Sequence, residues 1–316
     1  MFLPERVLTN HDLEQFMDTN DEWITKRTGI KERHFAEEGV GTSDLAVEAA
    51  RQALDEAGLT GRDLDAIICC TLTPDMVMPG VSHILQARLS AEGSAAFDLN
   101  CACTGFIVGL ATADAFIRAN NFKTILLVGA DTTSRLVNWD YRDTAVLFAD
   151  GAGAVVLQAV DEDAGVLYTH IEADGAGSDI LKLEQGGFRY APTPERVASD
   201  PLHITMNGKE LFKRAVVTFE NEIQTALDQT GFTADDVDLF IPHQANARII
   251  EAVRERVGLA PDKVMVNIDK TGNTVAASIP MALHEARQAG RVNDGDLLVL
   301  SGFGAGLSWG SAVVRW

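Results

Sequence analysis

The segment Asp98–Phe106, DLNCACTGF, sets two thiols among small residues where an apolar run gives way to a helical pattern, TGFIVGLATADAFIRAN. A thiol at a helix N-terminus faces unpaired backbone N–H groups and the positive end of the helix dipole, and both favour the thiolate. Small neighbours let a carbonyl approach. Cys103, directly before Thr104-Gly105-Phe106, is placed for the first helical turn, whereas Cys101 is expected on the incoming strand. The chemistry suggested is nucleophilic attack on a carbonyl. The competing reading is that both are small buried apolar residues, as most free cysteines are. A four-cysteine zinc site from Cys69, Cys70, Cys101 and Cys103 is disfavoured, because adjacent strand residues point to opposite faces.

A second group with chemical potential follows the apolar run LFI. His243 stands behind Pro242 and is followed by Gln244, Ala245 and Asn246, then by a helix carrying Arg248, Arg254 and Arg256. It is either a surface-loop histidine or part of a lined pocket. Asn273 in KTGNTVAAS is either a helix N-cap or a hydrogen-bonding partner for a substrate. The glycine-rich end, SGFGAGLSWGS, is either a tight hairpin or a source of backbone N–H donors for an oxyanion.

These loops need elements to hold them. The chain has 316 residues, 46% hydrophobic and 23% charged, enough for a sizeable core. Its apolar runs are too short to span a bilayer, and no signal peptide is expected at its start. A formal net charge of -20 argues against a nucleic-acid partner, and four cysteines do not form a disulfide framework, so a cytoplasmic location is expected.

The sequence also matches itself. Residues 53–68, ALDEAGLTGRDLDAII, and 226–241, ALDQTGFTADDVDLFI, agree at eight of sixteen positions. Each copy reads as a helix end, a glycine stop, an acidic turn and a buried strand. The strands and helices that follow alternate in the same order, which predicts parallel βαβ units in two halves, 1–165 and 166–316, with no separate core in either. Residues 174–203 are read as an insertion over one face. Sites in doubly wound sheets form beyond the carboxyl ends of strands. The two-fold relation therefore brings CACTGF, HQAN and TGNT together.

CACTGF, IPHQANARII, GNTVAASIP and FGAGLSWGSAVVRW, in this order, resemble the β-ketoacyl-acyl-carrier-protein synthase III family of the thiolase superfamily. The opening LPERVLTNHDLEQFMDTNDEWITKRTGIKERHF and the central FADGAGAVVL resemble it too. The resemblance covers essentially the whole chain. It implies a duplicated αβαβα five-layer fold, a homodimer, and initiation of fatty acid synthesis from an acyl-CoA primer and malonyl-acyl-carrier protein, with no cofactor or metal. Rival expectations are a same-fold synthase using a medium-chain, branched or aromatic primer in secondary metabolism, and a non-catalytic partner subunit.

The resemblance also implies roles. Cys103 is the acyl-accepting nucleophile, and His243 and Asn273 hydrogen-bond the malonyl thioester. The backbone N–H groups of Cys103 and Ala305 form the oxyanion hole, and Phe303 packs over the malonyl carboxylate. Trp23, Arg27, Arg142, Gly208 and Asn246 bind coenzyme A. Met78 reaches the acyl channel of the partner subunit. Against the acidic total, a local patch of Lys209, Lys213, Arg214, Arg248, Arg254 and Arg256 is expected to dock the carrier protein. The family has about ten further residues before Leu3-Pro4, on the scale of one strand plus a turn.

Overall fold

The computed structural model describes residues 1–160, 164–187, 189, 193–199 and 202–316. The strands, in chain order, are β1 (Arg6–Thr9), β2 (Glu32–Phe35), β3 (Ala66–Cys70), β4 (Ala95–Leu99), β5 (Thr124–Thr132), β6 (Asp150–Gln158), β7 (Gly165–Ala173), β8 (Leu181–Lys182), β9 (Thr205–Met206), β10 (Leu239–Pro242), β11 (Leu297–Gly304) and β12 (Ser308–Arg315). Two four-stranded sheets dominate, ordered β4-β3-β5-β6 and β10-β11-β12-β7. In the first, β3, β4 and β5 run parallel and β6 closes antiparallel. In the second, β10 and β11 run parallel and β12 and β7 follow antiparallel.

The central strands β5 and β11 are buried at every position, as continuous apolar runs require. Alternation along the strands distributes their side chains between different clusters. Ile68, Cys70, Ile125 and Leu127 of the first sheet, and Leu239, Ile241, Leu298 and Leu300 of the second, pack with the helices Gly105–Arg118 and Ser278–Gln288 in one shared core. On its other face the first sheet sends Ile67, Cys69, Leu126 and Val128 against the helices Thr42–Ala57 and Val81–Arg88. The second sends Phe240, Leu297, Val299 and Val313 against Gly208–Thr230 and Ala247–Val257. Each fully buried aliphatic side chain contributes about 1.5–3 kcal/mol. The expectation that neither half has a core of its own is thus corrected, since the two outer clusters each draw on one half.

The self-similar segments adopt the same local structure. The helices Thr42–Ala57 and Gly208–Thr230 end on glycines in the left-handed conformation, Gly58 and Gly231. In the acidic turns, the Thr60 hydroxyl and N–H donate to Asp63 at 2.7 and 2.8 Å, and Thr233 does the same to Asp236 at 2.7 and 2.8 Å. The spacing of 173 residues (Ala226 against Ala53) also relates β5 to β11 and the 3₁₀ turn Ala102–Thr104 to the 3₁₀ turn Val275–Ala277. Both turns begin on a non-glycine residue with positive φ, Ala102 at 44° and Val275 at 53°. L-residues visit this region seldom, and surrounding structure has to hold them there.

What holds the turns is a reciprocal crossing. The Val275–Ala277 turn lies on Gly129 of β5, where an added Cβ would collide with the Ala276 carbonyl oxygen. The Ala102–Thr104 turn lies on Gly302 of β11, where a Cβ would stand 3.3 Å from the Cys103 carbonyl oxygen and 3.4 Å from Thr104 Cα. Gly129 and Gly302 are themselves 173 apart (302 against 129).

One expectation needs adjustment. Cys101 is not on the incoming strand: β4 ends at Leu99, and Cys101 caps the 3₁₀ turn, partly exposed. Phe2 bridges β6, with N–H···O bonds to and from Ala152 of 2.7 and 2.9 Å. The insertion carries β8, which pairs antiparallel with β9 just beyond it, and a helix, Pro194–Ser199; parts of it lie outside the described residues.

The two crossings differ in tightness, and that difference is measurable. Gly129→Ala is expected to destabilise the fold by about 1–3 kcal/mol through overpacking, visible as a lowered midpoint in thermal denaturation. Gly302→Ala brings its Cβ to 3.3 Å from the Cys103 carbonyl oxygen, a tight contact but a milder one than at Gly129, and is expected to cost clearly less. Equal midpoints for the two variants would contradict the crossing.

Candidate active site

A cavity of about 480 Å³ opens where the two sheets meet, and Cys103, His243, Asn273 and Phe303 line it together. Each arrives from the carboxyl end of a strand or the start of a helix. Cys103 sits in the 3₁₀ turn between β4 and the helix Gly105–Arg118. His243 follows β10, its N–H donating to Ser301 O at 2.8 Å. Asn273 is clamped by backbone, its N–H donating to Leu147 O and its carbonyl accepting from Ala149 N–H, both at 2.9 Å.

The reacting groups are buried, and burial sets their charges. Cys103 is 7% exposed and His243 2%. Desolvation, and after it the Asp131 charge, push the Cys103 thiol up to about 12, against the opposing pull of the backbone N–H groups of Cys103 and Ala305. The helix-start expectation of a stabilised thiolate is therefore corrected for the resting site: burial outweighs the donors, and the thiol keeps its proton. Burial drives His243 the other way, down to about 3, so its ring is neutral.

Nδ1 lies 2.6 Å from Ser278 Oγ, and that oxygen receives the Gln244 N–H at 3.4 Å. The tautomer that accepts the Ser278 hydroxyl at Nδ1 carries its proton on Nε2 and turns a donor toward the cavity. Nε2 is buried and has no hydrogen-bond partner among the described residues. Asn273 Oδ1 accepts the Val275 N–H at 3.0 Å, leaving the amide N–H₂ as its donor to the cavity. The arrangement is two neutral donors facing a thiol that is itself held by two backbone donors. It suits polarising one carbonyl while another is attacked.

Other predicted residues fall into place unevenly. Ala305 N–H is directed at the Cys103 sulfur, and Phe303 packs between Phe219 and Trp309. Trp23, Arg27, Gly208 and Asn246 line the outer cavity, Asn246 also capping the helix Ala247–Val257 through the Arg248 N–H at 2.9 Å. Arg142 is not among the cavity residues; its guanidinium lies 4.6 Å from the Trp23 ring centroid, with Arg27 at 4.3 Å. Met78 is 80% exposed, away from the cavity of its own chain. Of the basic residues, Arg214 is paired with Glu210 and Asp174, Arg254 with Glu251, and Arg256 with Glu220. Lys209, Lys213 and Arg248 are exposed and form no ion pair among the described residues, and Lys209 and Arg248 stand at the cavity. Gln244 is a structural tie: its Nε2 donates to Pro242 O and Met265 O, and its Oε1 accepts the Asn267 N–H.

Two residues of consequence carried weaker signals. Ser278, which orients His243, is the last small residue of VAAS. Asp131 breaks the apolar run ILLVGA as β5 ends; it is fully buried and pushed up to about 6 by desolvation, against four hydrogen bonds. An acidic residue there was visible, but not its partners.

Comparison with known proteins follows the same lines. Two family models match, 3-Oxoacyl-[acyl-carrier-protein (ACP)] synthase III over residues 97–175 and its C-terminal counterpart over 227–316. The chain is 49% identical to a β-ketoacyl-[acyl-carrier-protein] synthase III of Symbiobacterium thermophilum, covering 100% of this chain and 96% of that one. It is 48% identical to one of Caldanaerobacter subterraneus subsp. tengcongensis, covering 100% and 95%. The crystal structure of 3-oxoacyl-[acyl-carrier-protein] synthase III from Aquifex aeolicus VF5 superposes with a TM-score of 0.93 at 44% identity, covering 100% of this chain and 97% of that chain.

The burial of the thiol predicts its reactivity with pH. Site-resolved alkylation of Cys103 is expected to rise about tenfold per pH unit from 7 to 10 without a plateau, since its thiolate stays a minor species throughout. A plateau near pH 7, read by peptide mass spectrometry, would contradict the assignment.

Proposed function

Because the chain belongs to the β-ketoacyl-[acyl-carrier-protein] synthase III family, we propose that it condenses an acyl-CoA primer with malonyl-acyl-carrier protein through Cys103, initiating fatty acid synthesis. The observation that carries the site assignment is the meeting of Cys103, His243 and Asn273 in one buried cavity. That meeting also speaks against a non-catalytic partner subunit.

The chemistry runs in two halves. The Cys103 sulfur attacks the acyl-CoA carbonyl, and the proton it loses ends on the departing coenzyme A sulfur. The N–H groups of Cys103 and Ala305 hold the oxyanion, and coenzyme A leaves as its thiol. Trp23, Arg27, Gly208 and Asn246 form the channel for coenzyme A, with Arg142 stacked on Trp23. Malonyl-acyl-carrier protein then enters, and His243 Nε2–H and Asn273 Nδ2–H bind its thioester oxygen. Carbon dioxide departs, and its bonding electrons pass into an enolate that those donors stabilise. Phe303 keeps water from the carboxylate, which favours the loss. The enolate carbon attacks the acyl-cysteine, releasing the 3-oxoacyl product and regenerating the thiol with a proton from solvent. No metal or cofactor enters this reading.

The same reading extends to architecture. The matched turns, caps and strands support a duplicated thiolase-like fold of two halves, 1–165 and 166–316, in five αβαβα layers. The helices Gly105–Arg118 and Ser278–Gln288 form the middle layer. A homodimer is favoured by β4, an edge strand of its sheet, beside the exposed loop residues Met76, Val77 and Met78. Through that loop Met78 would reach the partner's acyl pocket. Four free cysteines favour a cytoplasmic location. The carrier's docking face narrows to Lys209, Lys213 and Arg248, since the other three arginines are already paired.

Light scattering is expected to give twice the 34.0 kDa chain mass; a monomer would remove the partner role of Met78. Mass spectrometry after mixing with a panel of acyl-CoAs is expected to show one acyl adduct, on Cys103, and to identify the primer. Cys103→Ala should abolish that adduct and Cys101→Ala retain it. Asn273→Ala should lower malonyl-thioester decarboxylation by about 10²–10³-fold while acylation persists. Lys213→Glu and Arg248→Glu should raise KM for the malonyl-carrier alone. Comparable adducts in both cysteine variants would overturn the nucleophile assignment.

A further inference from the structure

The 173-residue correspondence extends into the oxyanion hole. In the turn that β11 supports and directly after β11, the proposed donors are the N–H groups of Cys103 and Ala305. Their counterparts, 173 residues away (276 against 103, 305 against 132), are the N–H groups of Ala276 and Thr132. These counterparts are not free. The Ala276 N–H donates to Asp131 Oδ2 at 3.1 Å, and the Thr132 N–H donates to Thr73 Oγ1 at 2.8 Å. Thr73 Oγ1 in turn donates to Asp131 Oδ1 at 2.9 Å, which also accepts from Leu72 N–H at 2.8 Å and Thr71 Oγ1 at 3.0 Å. The residue corresponding to Asp131 is Gly304 (304 against 131). A Cβ there would stand 2.6 Å from Cys103 Cβ and 3.0 Å from its sulfur. One half keeps the position empty for a reacting oxygen, and the other fills it with a carboxylate.

We propose that Asp131, with Thr73, occupies the second half's counterpart of the oxyanion hole as an internal anion, and thereby positions the Asn273–Ala277 turn for the malonyl half-reaction. This rests on the synthase reading above. The physical route is short. Ala276 is three residues from Asn273, and Asn273 Oδ1 is bound to the Val275 N–H directly before it. Val275 holds a positive φ that an L-residue keeps only when its neighbours impose it. The carboxylate fixes the far end of that turn, β5 at Gly129 lies beneath it, and Leu147 and Ala149 fix the near end. Asp131 touches no reacting atom, so it is a positioning residue. Its charge opposes ionisation of the Cys103 thiol, so removing it does not impair acyl transfer by that route.

The discriminating variant is Asp131→Asn. A side-chain amide has one accepting oxygen, which the three donors of Thr71, Leu72 and Thr73 retain. Its N–H₂ then faces the Ala276 N–H, donor against donor, so the turn alone loses its anchor. Displacement of a reacting partner by about 1 Å costs on the order of 10²-fold. The expected result is acylation of Cys103 at the wild-type rate or faster, with the turnover of malonyl-thioester decarboxylation reduced roughly 10- to 100-fold, and Asp131→Ala lower still. Faster amide exchange at Ala276 should accompany it. Equal losses in both half-reactions, or no loss in either, would overturn the proposal. Should Asp131→Asn fail to fold, Thr73→Val is read by the same two assays and the same criterion. Absence of any acyl adduct in the wild-type protein would instead sink the synthase reading.

Discussion

Two short turns, each forced into a conformation that L-residues avoid, cross reciprocally over the central strand of the opposite sheet. Everything in the site depends on that crossing. It needs Gly129 and Gly302, because a side chain at the first would strike the turn above it and one at the second would press on it. It also sets where chemistry is possible. One turn delivers Cys103 and its N–H to the cavity, and the other, two residues after Asn273, fixes the carboxamide. The helices that continue from the turns fill the space between the sheets, so the apolar core and the cavity are made by the same pieces of chain.

A site made in this way is deeply buried, and the burial acts on each group according to its charge. It suppresses the thiolate of Cys103, the cation of His243 and, less strongly, the anion of Asp131. The histidine is consequently neutral, with its Nδ1 against Ser278 Oγ. The burial that keeps these groups uncharged also strengthens any hydrogen bond they make. The acidic surface, at a formal -20, bears on encounter with partners and hardly on these groups.

Much of this was legible before any coordinates. The repeat of ALDEAGLTGRDLDAII as ALDQTGFTADDVDLFI announced the matched helix ends and strands, because glycine stops and Thr–Asp turns are local structures that sequence specifies. The grouping of Cys103, His243 and Asn273 followed from strand ends brought together by symmetry. What the sequence did not display was non-local. Desolvation of a thiol depends on what packs around it, so the helix-start argument for Cys103 had the sign of its acidity wrong. The pairing of Arg214, Arg254 and Arg256 with acids elsewhere on the surface was invisible from spacing. So was Asp131, since a carboxylate at a strand end looks like a surface residue until its four donors are counted.

The stack of Arg142 and Arg27 on Trp23 has a consequence for traffic through the cavity. The indole is not bare: two guanidiniums lie over it, at 4.3 and 4.6 Å from its centroid. Each such stack is worth about 0.5–1 kcal/mol at an exposed place. A planar group that displaced one of them would gain only the difference between two stacks, so the shelf by itself is a weak selector.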